Sequence, residues 1–381
     1  MSLTMPTPDS SPASPPSPDS GIDPQDRYSR QVLFPGIGAR GQDLLARGHV
    51  AIVGVGATGA ASASLLARAG VGTLTLIDRD FVEPSNLQRQ ILFDEVDALA
   101  SLPKAVAAHR KIQLFNSDIR ILPRTVDLVP ANIHTLLAEA DIILDATDNF
   151  ETRYLINDFA VEQSKPWIYA AAVGAYAATM NILPRTPEEQ GGSPAAWEAT
   201  ACLACLFPKP PSGPVETCDT AGILSTAVNL AASIQVTEAL KFLTGQHHLL
   251  RRTLVSFDLW NLTSAKGLDR SEISTAKPDP ACNVCGMRVF THLAGEGRPH
   301  ITLCGRNSVQ IHEHNRPVDL LEMRSRLSRH ADIQDLRSND LLLRFRRGEH
   351  ILTLFSDGRA VVQGTTDITV ARTLYARFIG S

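Results

Sequence analysis

The chain has 381 residues, 44% of them hydrophobic and 20% charged, with a formal net charge of −4. That is material for two or three globular units with a large core, and it excludes collagenous and wholly disordered classes and a strong basic field for nucleic acid or anionic membrane. Six cysteines are too sparse for a disulfide-stapled scaffold, and the most apolar stretch, 221–236, is interrupted by Ser225, Thr226, Asn229, Ser233 and Gln235, which a spanning helix would have to pair in lipid.

The first 24 residues hold seven Pro and six Ser, with no Lys or Arg. Residues 1–25 are too poor in apolar side chains to offset the entropy of ordering, so they are predicted as a disordered tail. They have neither the apolar run of a signal peptide nor the Arg content of a mitochondrial presequence, and a cytoplasmic location is expected. Asp26–Gly41 reads as a short helix and loop. His49–Val53 is then an apolar strand, Gly54–Gly59 a glycine-rich turn, Ala60–Ala69 a helix stopped by Gly70, and Thr73–Asp78 a second strand, which together make a βαβ unit. Lys104–Phe115 is predicted as a helix, Asp118–Leu122 as a strand, and His134–Ala140 leads to the buried strand Ile142–Asp145. This alternation predicts a doubly wound, mainly parallel, Rossmann-like α/β sheet with its ligand site at the carboxyl ends of the strands.

Residues 186–215 are rich in Pro, Gly and Ser and long for a connection inside a domain, so they are predicted as a functional crossover loop. A long helix is expected from about residue 221 to 244, with Gly245 as its stop. The composition shifts after Gly286: residues 286–381 hold fourteen Arg, no Lys and ten acids, a net +4 against −8 for the rest. Here the pattern predicts a strand at 301–304, a helix at 317–329, strands at 341–346, 350–355 and 359–363, and a helix at 367–378 begun by Asp367. Ser356-Asp357-Gly358 is the turn of a hairpin. A unit of residues 26–286 is thus followed by a small α+β unit of residues 287–381.

Four motifs carry chemistry. Gly54-x-Gly56-Ala57-x-Gly59 lies between a strand and a helix, where a tight turn and free helix N-terminal N–H groups admit phosphate; Asp78 follows 19 residues after Gly59, where an acid accepts from ribose hydroxyls. Asp78-Arg-Asp80-Phe-Val-Glu-Pro-Ser85-Asn86-Leu-Gln88-Arg89-Gln90 comes next. Hydride transfer needs no Asn86 and Arg89 there, whereas a triphosphate does, with Lys104 as a further phosphate cation. Asp145-Ala-Thr-Asp148-Asn149 follows a core strand; Asp148 is either the cap of the next helix or an acid holding Mg²⁺ against phosphates, and the metal role is favoured. Finally, Cys202-x-x-Cys205 and Cys282-x-x-Cys285 put two thiolates on each of two tight turns, a structural Cys₄ site for Zn²⁺. Of the remaining cysteines, Cys304 is expected to be buried and inert. Cys218, ahead of the long helix, is either an inert thiol or an activated nucleophile.

Together with Arg27-Tyr-Ser-Arg30-Gln31, these signatures resemble the ThiF/MoeB/HesA family, bacterial relatives of ubiquitin-activating enzymes, over about residues 26–286. The resemblance implies a doubly wound homodimer that uses ATP to adenylate the C-terminal glycine of a ubiquitin-like sulfur carrier ending in Gly-Gly, of ThiS or MoaD type. It places Gly54, Gly56, Ala57 and Gly59 at ATP, Asp78 on the ribose, and Asn86, Arg89 and Lys104 on phosphates. Asp148 would hold Mg²⁺, and Asp80, Ser85, Gln88 and Asn149 would complete the cofactor-binding set. Arg30 would reach the neighbouring subunit's site, and Cys218 would serve in sulfur transfer, with a cysteine desulfurase or another donor as partner. Ala57 replaces a glycine usual in the family, and two extra residues precede Lys104. The end product implied is thiamine or molybdenum cofactor. A cousin adenylating a peptide or tRNA-linked carboxylate and an NAD-dependent oxidoreductase are the competing readings; Asn86 and Arg89 oppose the second.

Overall fold

The apolar run His49–Val53 forms the central strand of an eight-stranded sheet. The computed structural model describes residues 21–186, 197–210, 221–261, 269–295, 302–303, 308–311, 318–338, 342–356, 358 and 360–379. In chain order its first elements are α1 (Pro24–Val32), α2 (Gly38–Arg47), β1 (His49–Val53), α3 (Ala57–Ala69) and β2 (Thr73–Ile77). There follow α4 (Glu95–Leu99), α5 (Lys104–Gln113), β3 (Arg120–Arg124), α6 (Ile133–Leu137), β4 (Ile142–Asp145) and α7 (Phe150–Glu162). The larger unit ends with β5 (Trp167–Val173), β6 (Tyr176–Ile182), α8 (Leu203–Leu206), α9 (Ser225–Leu243), β7 (Thr253–Asp258) and β8 (Asp269–Ser274).

The strand order is β3-β2-β1-β4-β5-β6-β7-β8. The first five strands are parallel and the last three extend the sheet antiparallel, so the doubly wound α/β reading holds with an unforeseen antiparallel half. Val50 pairs with both Leu74 and Ile142, and residues 50–53 are buried, as expected of parallel strands covered on both faces. One core, with Leu66, Leu74 and Val236, lies under α3, α5 and α9; the other, with Ile143, Phe159 and Trp167, lies under α6 and α7. The order in which strands are added reverses between β1 and β4, which opens a crevice at their carboxyl ends.

The smaller sheet follows β9 (Thr302–Leu303), β10 (Ser308–Ile311), α10 (Leu320–Leu327), β11 (Gln334–Ser338), β12 (Leu342–Arg347), β13 (His350–Phe355), β14 (Ala360–Gln363) and α11 (Ile368–Phe378). It is antiparallel throughout, in the order β11-β12-β13-β14-β10-β9. Leu343, Phe345, Leu352 and Val362 pack with Met323, Leu374 and Phe378 of its helices. Asp367 caps α11 by accepting from the Thr369 and Val370 N–H groups, as expected.

Several boundaries differ for local reasons. The first helix begins at Pro24, capped by Asp23, inside the stretch assigned to the tail. β3 starts two residues late because Asp118 is drawn to Arg27 at 3.4 Å and its N–H to Asn116 Oδ1. α9 starts at Ser225 because Ile223 and Leu224 first pair with Gly174. The composition shift places residues 287–295 in the smaller unit, but Phe290 and Leu293 pack on the larger unit's core and the His292 and Leu293 N–H groups donate to Asp158. Cys218, Cys304 and parts of the 186–215 loop lie outside the described residues. No described helix is long and apolar enough to cross a membrane.

Candidate nucleotide site and cysteine centre

Three loops meet at the crevice. After β1 the chain turns through Gly54, at φ +87°, where a Cβ would lie 2.6 Å from the Ala146 carbonyl; at Gly59 it would lie 1.9 Å from the Gly54 carbonyl. Only glycine lets the β1 and β4 loops and the start of α3 approach so closely. Ala57 opens α3, with Gly56 as its N-cap residue, so its N–H is one of the first-turn donors that a helix leaves for an anion. Asp78 Oδ2 accepts from the Val55 N–H at 2.6 Å and Oδ1 from the Asp80 N–H at 2.7 Å, tying the glycine turn to the end of β2. Burial pushes the Asp78 carboxyl up, opposed by Lys104 and those N–H groups. Each oxygen keeps a further acceptor site for a hydroxyl.

The 78–90 segment gathers the polar set. Lys104 is 3% exposed; its Nζ donates to Asp80 Oδ2 at 3.1 Å and its N–H to the Asp80 carbonyl at 2.9 Å. Asn86 is buried in the turn Pro84–Asn86, its Oδ1 accepting from the Glu83 N–H at 3.1 Å. Arg89 Nη1 donates to the Ser85 carbonyl at 2.8 Å, while Gln88 lies exposed in the same loop. The sequence assigns Gln90 no role; it is buried, with Oε1 lacking a hydrogen-bond partner among the described residues and with Nε2 facing Gly56. Its signal was its place at the end of the Asn86–Arg89 signature.

At the end of β4, Asp145 is fully buried, accepting from the Thr147 N–H and Oγ1 and from Arg153 Nε at 3.2 Å. Arg153 also donates to the Thr147 and Ala170 carbonyls. It was missed because nothing in the sequence ties an Arg in the first turn of α7 to an acid eight residues earlier. The cap of α7 is Asn149, whose Oδ1 accepts from the Thr152 N–H at 2.9 Å. Asp148 is therefore not the cap: it lies exposed, and its charge is felt by both Arg79 and Arg153. A carboxylate left out of the capping role at a strand's carboxyl end fits a hard cation such as Mg²⁺. Arg30 sits in the last turn of α1, exposed beside Leu33 and Phe34, which are 70% and 61% exposed.

The cysteine pairs form a separate centre. Their four sulfurs lie within 4.8 Å of one another, with Cys202–Cys282 at 3.7 Å, Cys202–Cys205 at 3.8 Å and Cys205–Cys285 at 3.3 Å. Metal–sulfur bonds of 2.3 Å in a tetrahedron imply edges of about 3.8 Å, far longer than a disulfide, so the donor set fits Zn²⁺. Asn157 of α7 orients the first pair, donating to Cys202 Sγ and accepting from the Leu203 N–H; the Asp279 N–H donates to Cys205 Sγ. The Cys205 thiol is held well below the usual range by its sulfur contacts with Cys202 and Cys285 and by the Asp279 N–H.

A glycine turn, an acid at the end of β2 and a polar loop at the crevice of a doubly wound sheet define a nucleotide-binding α/β protein. The sequence profile of the ThiF family matches residues 28–284, and the chain belongs to that family. The chain is 43% identical over 357 residues to the sulfur carrier protein ThiS adenylyltransferase of Bacillus subtilis, covering 93% of this chain and 99% of the relative. It is 35% identical over 262 residues to the sulfur carrier protein adenylyltransferase of Thermus thermophilus, covering 68% and 90%. The crystal structure of E. coli MccB with ATP shares the fold, with a TM-score of 0.55 and 24% identity, covering 68% of this chain and 74% of that one.

Proposed function

We propose that the chain uses ATP to adenylate the C-terminal glycine of a ubiquitin-like sulfur-carrier protein, forming the acyl-adenylate and pyrophosphate ahead of sulfur transfer in thiamine or molybdenum-cofactor synthesis. The observation that carries this reading is the convergence of Asn86 and Lys104, both buried, on the loop that runs from Asp78 beside the glycine turn. The likeness to the Bacillus subtilis ThiS adenylyltransferase over 99% of that protein supports the substrate class.

In this reading the carrier's carboxylate attacks the α-phosphorus in line, and the protein contributes position and charge rather than covalent chemistry. Gly54 and Gly56 admit the phosphates to the helix N-terminus, and Asp78 accepts from the ribose hydroxyls. Lys104 spends one of its three N–H donors on Asp80, so it is oriented before the phosphates arrive. Arg89 and Asn86 present donors from the same loop. Mg²⁺, when bound at Asp148, neutralises charge on the phosphate oxygens. Zn²⁺ at the four cysteines is structural and pins residues 202–205 to residues 282–285. Arg30, beside exposed Leu33 and Phe34, supports a homodimer in which it serves the neighbouring site; a cysteine desulfurase is the sulfur donor class.

Carrier-dependent ATP–pyrophosphate exchange, with a ubiquitin-like protein ending in Gly-Gly, tests the reading. The wild-type chain is expected to catalyse it, and Asp148→Ala to abolish it with the fold retained. Near-normal exchange by Asp148→Ala overturns the assignment.

A further inference from the structure

The smaller sheet has a second face, opposite its helices. Alternation puts Leu342 and Arg344 of β12 on that face, with Thr353 and Phe355 of β13 and Val361 of β14 beside them: Leu342 pairs with Phe355, Arg344 with Thr353, and Thr353 with Val361. Phe81, from the larger unit's 78–90 segment, is 4% exposed and buried against Leu342, Phe355 and Val361. Arg344 covers the other side of this contact. Its guanidinium lies 4.6 Å from the Phe81 ring centroid and 3.6 Å from Glu83 Oε1. Both ends of that ion pair are about one-fifth exposed, a setting in which stacking and charge pairing count for more than on an open surface.

The two residues touched by Arg344 each sit next to a phosphate candidate. Glu83 and Asn86 are tied to each other: Asn86 Oδ1 accepts from the Glu83 N–H, and the Asn86 N–H donates to the Glu83 carbonyl. Phe81 pairs with Pro103, the Val82 N–H donates to the Leu102 carbonyl, and the Lys104 N–H donates to the Asp80 carbonyl. Hence Phe81 is held against the two residues that lead into Lys104. Arg337 stands directly opposite Arg344 across β11 and β12, and Arg346 lies two residues along the strand. Like charges facing across a ladder are unfavourable, and Glu83 is the acid paired with the middle one.

We propose that Arg344 is a positioning residue for the nucleotide site: through Phe81 and Glu83, the C-terminal sheet holds residues 80–86 and 102–104 in the arrangement that presents Asn86 and Lys104 to phosphate. The inference rests on the proposed use of ATP. It gives the C-terminal unit a role in nucleotide binding 240 residues further along the chain than the segment it braces.

The experiment is ATP affinity of the full-length chain by calorimetry, with no carrier present. Arg344→Ala is expected to raise the ATP Kd about 2- to 30-fold, the range for coupling through a packed network. Arg344→Lys restores part of the loss through charge alone. Glu83→Gln, a near-isosteric change, weakens ATP in the same direction and carries the test if Arg344→Ala does not fold. The double variant is no weaker than the worse single one, because both break one link. Met323→Ala is the control: it loosens the smaller unit's helical core without touching Phe81 or Glu83, and ATP affinity stays at the wild-type value. Unchanged ATP affinity in folded Arg344→Ala and Glu83→Gln, additive losses in the double variant, or an equal loss in Met323→Ala overturns the inference. Wild-type binding of ATP without carrier-dependent exchange overturns the proposed function and leaves this inference standing; no ATP binding by the wild type overturns both.

Discussion

Asp158 is a carboxyl placed where ionisation is costly. It is fully buried in α7, its Oδ2 accepting from the His292 and Leu293 N–H groups at 2.9 and 3.3 Å, while Oδ1 is buried without a partner among the described residues. Burial pushes its pKa up to about 6, against those N–H groups, with Glu162 adding to the rise. The folded state therefore binds more protons than the unfolded state between about pH 4 and 6. The stability it contributes is fully present below pH 4 and is lost as pH rises through 6, on the order of 2–3 kcal/mol across the window. Asp158→Asn has no such titration. Urea midpoints measured from pH 4 to 7 should show wild type losing ground to Asp158→Asn as pH rises; a difference flat in pH contradicts the assignment. Nothing in the sequence marked this residue, because its partners lie 134 and 135 positions away. Asp148 and Asn149 were half legible: an acid and an amide after a core strand both fit a cap, and only geometry separates the capping Asn149 from the exposed Asp148.

At the scale of elements, legibility followed how much of the pairing was local. β1, the glycine turn, α3 and β2 were readable because each strand is buried on both faces and reads as an unbroken apolar run. β5 to β8 were not. Ala170–Ala172 and Ala177–Ala178 carry no strand signal, and those strands exist because each pairs antiparallel with the next. β11 likewise is recruited by β12 across a register shift, with Gln334 and Arg337 among its paired residues. The cysteine centre was legible as spacing, although its supports, Asn157 and the Asp279 N–H, were not. It joins the short α8 to residues 279–290, and because metal binding free energy at such a site is folding free energy, metal should supply part of the local stability. The purified chain is expected to carry about one zinc per chain, and a strong chelator to lower its melting temperature by several degrees, given about 2–4 °C per kcal/mol in chains of this size. Cys282→Ser should reproduce the loss and make the chain insensitive to chelator. Metal-free protein with an unchanged melting temperature rules out the zinc assignment.

At the scale of the whole molecule, the apolar contacts of the described residues divide into two large sets joined by a narrow bridge. Two cores flank the eight-stranded sheet and one lies between the small sheet and its helices. Among the described residues, the apolar link between the sheets is the cluster of Phe81, Leu342, Phe355 and Val361, with the Arg344–Glu83 pair at its rim. Units with separate cores and a small shared surface unfold with limited cooperativity. Scanning calorimetry should therefore resolve two transitions rather than a single two-state one. ATP binds at the crevice of the larger sheet in the proposed function, so it should raise that unit's transition, by about 2.7 kcal/mol of stability at a hundredfold excess over Kd. Among the described residues the smaller unit meets the larger one at this bridge, and its transition should move by less. If the bridge carries the coupling inferred above, Arg344→Ala reduces the ATP-induced shift of the larger unit and abolishes that of the smaller one. A single transition whose calorimetric and van't Hoff enthalpies agree would mean that the two sheets fold as one cooperative body, with the Phe81 contact as part of a common core.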